Sequence, residues 1–192
     1  MNSYIELKAP VALIPATAGA TPSRVEGTAY SGNIVPNLGV VIDLSTTTVA
    51  DRLPLLSEHD RQNIVGAITK ATIEGGALNI EGRLFSDLVG SLAEKIGQLA
   101  QRGAPYQMSV GLYSFREDTI PSGQVATVNS RTVMGPATVL RNGVVREVSL
   151  VTLGADPHAT ARLFGQGVKP PPTLNVHSIL ARRVRQAAGF AR

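Results

Sequence analysis

"APYQMSVGLYSF", Ala104 to Phe115, is an apolar run interrupted near its middle by Ser109. Gly103 and Pro105 mark its start, and Met108, Val110, Leu112, Tyr106 and Tyr113 suit a strand buried on at least one face. A strand here sets the character of the whole chain, because the segments around it follow the same pattern. "RVEGTAYSG" (24–32), "GVVIDLST" (39–46), "NIVGAITKATIEGG" (63–76), "ALNIEGRL" (77–84), "GQVATVNSRTV" (123–133) and "GVVREVSLVTLG" (143–154) are rich in Val, Ile and Thr. Several alternate polar with apolar residues, and Gly, Asn or Pro bounds most of them. Gly75 and Gly76 predict a tight hairpin turn between two of these strands. The pattern as a whole predicts a mainly β protein with few helices, an antiparallel sheet or barrel.

One helix interrupts it, over "SDLVGSLAEKIGQLAQRG" (86–103). Ser86 is the expected N-cap, Asp87 suits the positive end of the helix dipole, and Gly103 is the expected stop. Leu88, Leu92, Ile96 and Leu99 form the expected apolar face, with Arg102 in the last turn.

Composition narrows the function. The 192 residues include no cysteine, which excludes disulfides, thiolate nucleophiles and cysteine zinc sites. Aromatic residues make up only 4%, too few for base-stacking platforms, so nucleic acid is an unfavoured partner. "VALIPATAGA" (11–20) is broken by Pro15 after four apolar residues and follows Glu6, which argues against a secretory signal. No run is long enough to span a bilayer, and a cytoplasmic location is expected.

The formal charge of +4 is unevenly placed. Residues 169–192 carry Lys169, Arg182, Arg183, Arg185 and Arg192 and no acid, whereas residues 1–168 hold 13 basic and 14 acidic groups. We expect a domain over 1–168, with its core at about 24–165, followed by a Pro-rich linker ("VKPPPTLN", 168–175) and a basic amphipathic helix.

Ser109 in such a strand is either a core serine or a nucleophile, and a nucleophile needs a base. The chain has three histidines, His59, His158 and His177. His59 lies where the apolar segment "LPLL" runs into the charged stretch "SEHDRQ", a sheet rim where an imidazole can accept and return a proton. The orienting acid stays open between Glu147, flanked by valines, and Asp156 in the loop "GADPHATAR", which also holds His158. Glu147 could instead pair with Arg146 or Arg131 across a sheet. Asp60 adjoins His59 but points to the opposite face of a strand, and a loop cap suits it better. Three scattered histidines without cysteine make no metal site, and no cofactor is expected.

"PLLSEHDRQNIVG" (54–66), "PYQMSVGL" (105–112) and "REVSLVTLGADPHA" (146–159) together resemble the prohead, or capsid maturation, proteases of tailed phages. They resemble especially the branch found in Mu-like phages, and "VNSRTVMGPATVLRNGVVREVSLV" (128–151) has the same look. These proteases are distant relatives of the herpesvirus assemblins. The order and spacing of the segments, with the helix between them, carry the resemblance.

It implies an assemblin-like antiparallel β-barrel surrounded by helices, with Ser109 as nucleophile, His59 as base and Glu147 as the third member. It places an oxyanion region around Leu153, Gly154 and Ala155. The implied activity is a serine endopeptidase that cuts scaffold protein, major capsid protein precursors and itself, inside the procapsid in the host cytoplasm. Self-association stays open. The rival readings are a non-catalytic head or scaffold protein of the same fold and a nucleic-acid-binding head protein acting through the basic tail.

Overall fold

A computed structural model of the chain describes residues 5–8, 22–153, 156–158 and 160–165. The linker and basic helix expected after residue 168, His177, Gly154 and Ala155 lie outside the described residues. The described part is mostly β, as the alternating segments require, with one helix.

The large sheet is built from β1 (Ile5–Lys8), β2 (Pro22–Tyr30), β4 (Thr48–Val49), β5 (Leu53–Ser57), β6 (Asp60–Glu74), β7 (Ala77–Leu84), β8 (Gln107–Tyr113), β13 (Val144–Val151) and β14 (Thr160–Gly165). Its strand order is β1-β8-β13-β5-β6-β7-β2-β14, with β4 also on β13. β2 and β14, at one end of that order, approach β8 near the other, so the sheet curls around a common core. Leu55, Leu78, Leu84, Met108, Leu112 and Leu150 fill that core, each fully buried. Most pairings are antiparallel, as expected, but β13 runs parallel to β5 and β4. The parallel pair brings the end of β5 beside the end of β13.

The β6–β7 hairpin turns at Gly75 and Gly76, with φ of +59° and +71°, and pairs Glu74 with Ala77. Two successive left-handed residues match the twist of the strands, which is why a Gly-Gly pair fits there.

A smaller layer lies beside the sheet. Here β12 (Ala137–Arg141) pairs with β3 (Val40–Ile42) and β9 (Arg116–Ile120), next to the hairpin of β10 (Val125–Val128) and β11 (Arg131–Met134). Val41, Ile120, Val128, Val133 and Val139 form its own core. Asn129 joins the layers: its amide donates to Gly32 O and Ile42 O and its carbonyl accepts from Leu44 N. Tyr30 does the same from the large sheet, donating to Asn33 O and accepting from Ile42 N, and burial pushes its phenol well above the ordinary range.

The helix is shorter than its sequence pattern suggests, and it faces differently. α1 spans Leu92–Gln101 with Ser91 as N-cap, not Ser86; the Ser91 hydroxyl accepts from Glu94 N at 3.0 Å. Gly90, at φ +77°, breaks the chain before it, and Glu94 accepts from Gly90 N at 2.6 Å. Asp87 pairs with Arg83 rather than with the helix dipole. The buried face is Ala93, Ile96, Gly97 and Ala100, while Leu88, Leu92 and Leu99 are exposed. Small residues let α1 approach β2 and β6 closely, and only Ile96 of the expected face takes part.

Candidate active site

β8 lies between β1 and β13, so both its edges are paired, and its residues from Met108 to Leu112 are buried on both faces. Met108, Val110 and Leu112 enter the core, and the alternation sends Ser109 and Gly111 to the other face. β13 reaches the same arrangement through a bulge. The register slips at Arg146, so Val145 and Val148 both enter the core while Glu147 and Ser149 share the opposite face. Ser149 is then paired across the strands with Ser109, and Glu147 with Gly111.

His59 arrives from the third direction. β5 and β6 are joined by a two-residue turn, Glu58 and His59, with Ser57 paired to Asp60. Both turn residues have positive φ, +52° and +56°, a left-handed conformation uncommon outside Gly, Asn, Asp and His and so unusual for Glu58. The turn is tied down on β13: Glu58 N donates to Leu150 O at 2.9 Å, Thr152 N to the Glu58 carboxylate at 2.7 Å, and His59 N to Ser149 Oγ at 3.2 Å. Strain held by surrounding bonds in this way is a recurring mark of functional positions.

The three side chains meet in one line. His59 Nε2 is 2.8 Å from Ser109 Oγ, and His59 Nδ1 is 2.7 Å from Glu147 Oε1. Ser149 Oγ donates to Glu147 Oε2 at 2.7 Å. Ser109 and Ser149 are fully buried, and Glu147 is 4% exposed. A buried carboxylate is costly unless hydrogen-bonded, and this one accepts from both His59 and Ser149. Gly111 makes the room: a Cβ there would stand 2.3 Å from Glu147 Oε1. With the carboxylate on Nδ1, the ring carries its proton there and Nε2 is the acceptor facing the serine hydroxyl. Such an arrangement can take a proton from Ser109 and hold the resulting charge on His59.

The other candidates stand elsewhere. Asp60 is exposed and accepts from Gln62 N and the Asn63 amide, a cap of the loop kind. Asp156 is buried but accepts from Ser31 N at 2.8 Å and His158 N at 3.0 Å, at the start of the connection to β14. His158 is exposed. Arg131 donates to Gly76 O and Asn129 O, Arg146 lies over the Tyr113 ring, and the Glu147 carboxylate meets the His59 imidazole. Leu153 is largely exposed. Among the described residues no cluster of three or more His, Cys, Asp or Glu is placed to hold a metal ion.

Sequence reasoning passed over Ser149 and Gly111. The signal for Ser149 was its spacing: it stands two positions after Glu147, between apolar Val148 and Leu150. A pocket of about 160 Å³ opens beside Glu147, lined by buried Leu56, exposed Ile64, Arg61, Tyr113 and Arg146. Both guanidinium groups lie over the Tyr113 ring, at 5.6 and 5.8 Å from its centre.

No family model and no curated protein sequence matches the chain. Among solved structures it is similar to the capsid assembly protease of bacteriophage T4, with a TM-score of 0.50 and 11% sequence identity. The match covers 78% of this chain and 98% of that one. The chain therefore has the fold of a phage capsid assembly protease.

Proposed function

We propose that this chain is a serine endopeptidase of phage head maturation. The observation that carries the reading is the buried line from Ser109 Oγ through His59 to the Glu147 carboxylate, with both contacts under 3 Å. The fold likeness to a capsid assembly protease and the quoted Mu-like segments support the same reading.

In this mechanism Ser109 Oγ attacks the scissile carbonyl carbon and its proton passes to His59 Nε2. Glu147 holds the ring by Nδ1 and stabilises the imidazolium. The tetrahedral intermediate collapses as Nε2 returns the proton to the leaving amine, which releases one product and leaves an ester on Ser109. Water then attacks that ester, again with His59 as base, and frees the second product and the serine. The substrates are scaffold and major capsid protein precursors, and the chain itself, within the procapsid in the host cell.

Ser109→Ala removes one hydroxyl and little packing, so the variant should fold. It should lose fluorophosphonate labelling and processing of co-expressed scaffold, a fall on the order of a millionfold in turnover. Unchanged scaffold cleavage by this variant would overturn the reading.

A further inference from the structure

We infer that Ser149 is a positioning residue of this site, acting through both Glu147 and the His59 turn; the inference rests on the serine-peptidase reading. Ser149 is fully buried, two residues after Glu147 on the same face of β13 and opposite Ser109 on β8. Its hydroxyl donates to Glu147 Oε2 at 2.7 Å, and its oxygen accepts from His59 N at 3.2 Å.

These two bonds close a ring. The imidazole binds Glu147 Oε1 through Nδ1, Glu147 Oε2 binds Ser149, and Ser149 binds the backbone of the same histidine. The ring fixes His59 at both ends, at its main chain and at its imidazole. That matters here because His59 and Glu58 both sit at positive φ, a turn that relaxes unless its backbone is held. The ring also fixes the carboxylate: with Oε2 tied to Ser149, Oε1 stays aimed at Nδ1. Ser149 itself is no second nucleophile, because its proton is directed to Glu147, while Nε2 faces Ser109.

Removing the hydroxyl takes one donor from Oε2 and this acceptor from His59 N. An ionised carboxylate with fewer donors keeps more of its charge for Nδ1 and attracts the imidazolium more strongly. Relative to wild type, the protonated ring is then favoured in the variant, so the acid limb of the activity profile moves to higher pH. A residue that only filled space would change the amount of folded protein and leave that limb in place.

The test is the rate of fluorophosphonate labelling of the full chain between pH 5 and 9, with melting temperature recorded for each variant. Ser149→Ala should label about tenfold to a hundredfold more slowly, the loss expected for a hydrogen bond to a charged group. Its acid limb should lie at higher pH, and Ser149→Thr, which keeps the hydroxyl, should recover most of the rate. In a Glu147→Gln background Ser149→Ala should add little. A folded Ser149→Ala that labels at the wild-type rate with an unmoved limb would overturn the inference, even if Ser109→Ala is dead. Absent labelling of wild type, or equal labelling of Ser109→Ala, would instead overturn the serine-peptidase reading and this inference with it. If alanine at 149 prevents folding, Ser149→Cys, a much weaker donor of similar shape, takes its place. A wild-type rate and limb in that variant would count against the role, and a slowed rate with a raised limb would support it.

Discussion

Gly111 and Glu147 are paired across β8 and β13, and the Glu147 carboxylate fills the space that a side chain at 111 would occupy. The Cβ of an alanine there would fall 2.3 Å from Oε1 and 2.9 Å from Cδ and Cγ, well inside contact distance. Either the carboxylate or the strand has to move. Gly111→Ala should therefore slow fluorophosphonate labelling at least a hundredfold, because His59 loses its orienting partner. Overpacking should also cost about 1–3 kcal/mol in stability. The stability loss should shrink in a Glu147→Ala background, where the obstructing carboxylate is gone. Equal losses in both backgrounds, measured by urea unfolding, would show that the clash lies elsewhere.

The acids separate by what they bind. Glu147→Gln keeps the shape but cannot stabilise a charged His59, so turnover should fall by about 10⁴ with the fold retained. Asp156→Asn weakens bonds to Ser31 N and His158 N, and should lower stability while the folded fraction keeps its activity. Asp60→Asn, at an exposed cap, should do little to either. Peptide cleavage and thermal melts on the three variants check this. A dead Asp156→Asn beside an active Glu147→Gln would reassign the third member.

Much of this arrangement was legible in the sequence, for physical reasons that differ by element. The strands declared themselves because half-buried surfaces demand alternation, and the Gly75–Gly76 turn because few other pairs fit two left-handed residues. Ser109 and Glu147 stood out as polar residues in apolar runs. The Glu58–His59 turn gave no such sign, since Glu-His is not one of the Gly- or Asn-containing pairs that mark a tight turn; bonds with Leu150, Thr152 and Ser149 hold it. The bulge at Arg146 was equally hidden, although it decides which face Glu147 occupies. Ser149 follows Glu147 by two positions and shares its face by simple alternation, but the bulge before them decides that this is the face of Ser109.

The helix shows where periodicity misleads. Leu88, Leu92, Ile96 and Leu99 recur at helical spacing, yet only Ile96 is buried, at 2% exposure. Close approach of α1 to the sheet selects the stripe of Ala93, Gly97 and Ala100 instead. Ile96→Ala should cost about 2–4 kcal/mol, as for a truncated core side chain. Leu88→Ala, at 57% exposure, should stay within about 0.5 kcal/mol of wild type. Comparable losses in chemical denaturation would restore the leucine face.

The pocket beside Glu147 combines Leu56 and Ile64 with two guanidinium groups, and on the serine-peptidase reading we take it as a candidate subsite for a substrate side chain. Leu56 and Ile64 suit the methylene part of a side chain, while Arg61 and Arg146 suit a negative end. Their stacking over Tyr113 holds both charges near the opening, and Arg61 also donates to the Tyr113 hydroxyl at 2.9 Å. Because the arginines are exposed, each charge is screened and contributes modestly. We expect the full chain to favour peptides with an acidic residue next to the scissile bond over their amide counterparts. Arg61→Glu combined with Arg146→Glu should lower the acid-to-amide ratio of kcat/KM by roughly fivefold to tenfold. The wild-type preference itself should weaken as salt is raised, since the charges interact through solvent. A ratio unmoved by the double reversal would place the substrate side chain outside this pocket.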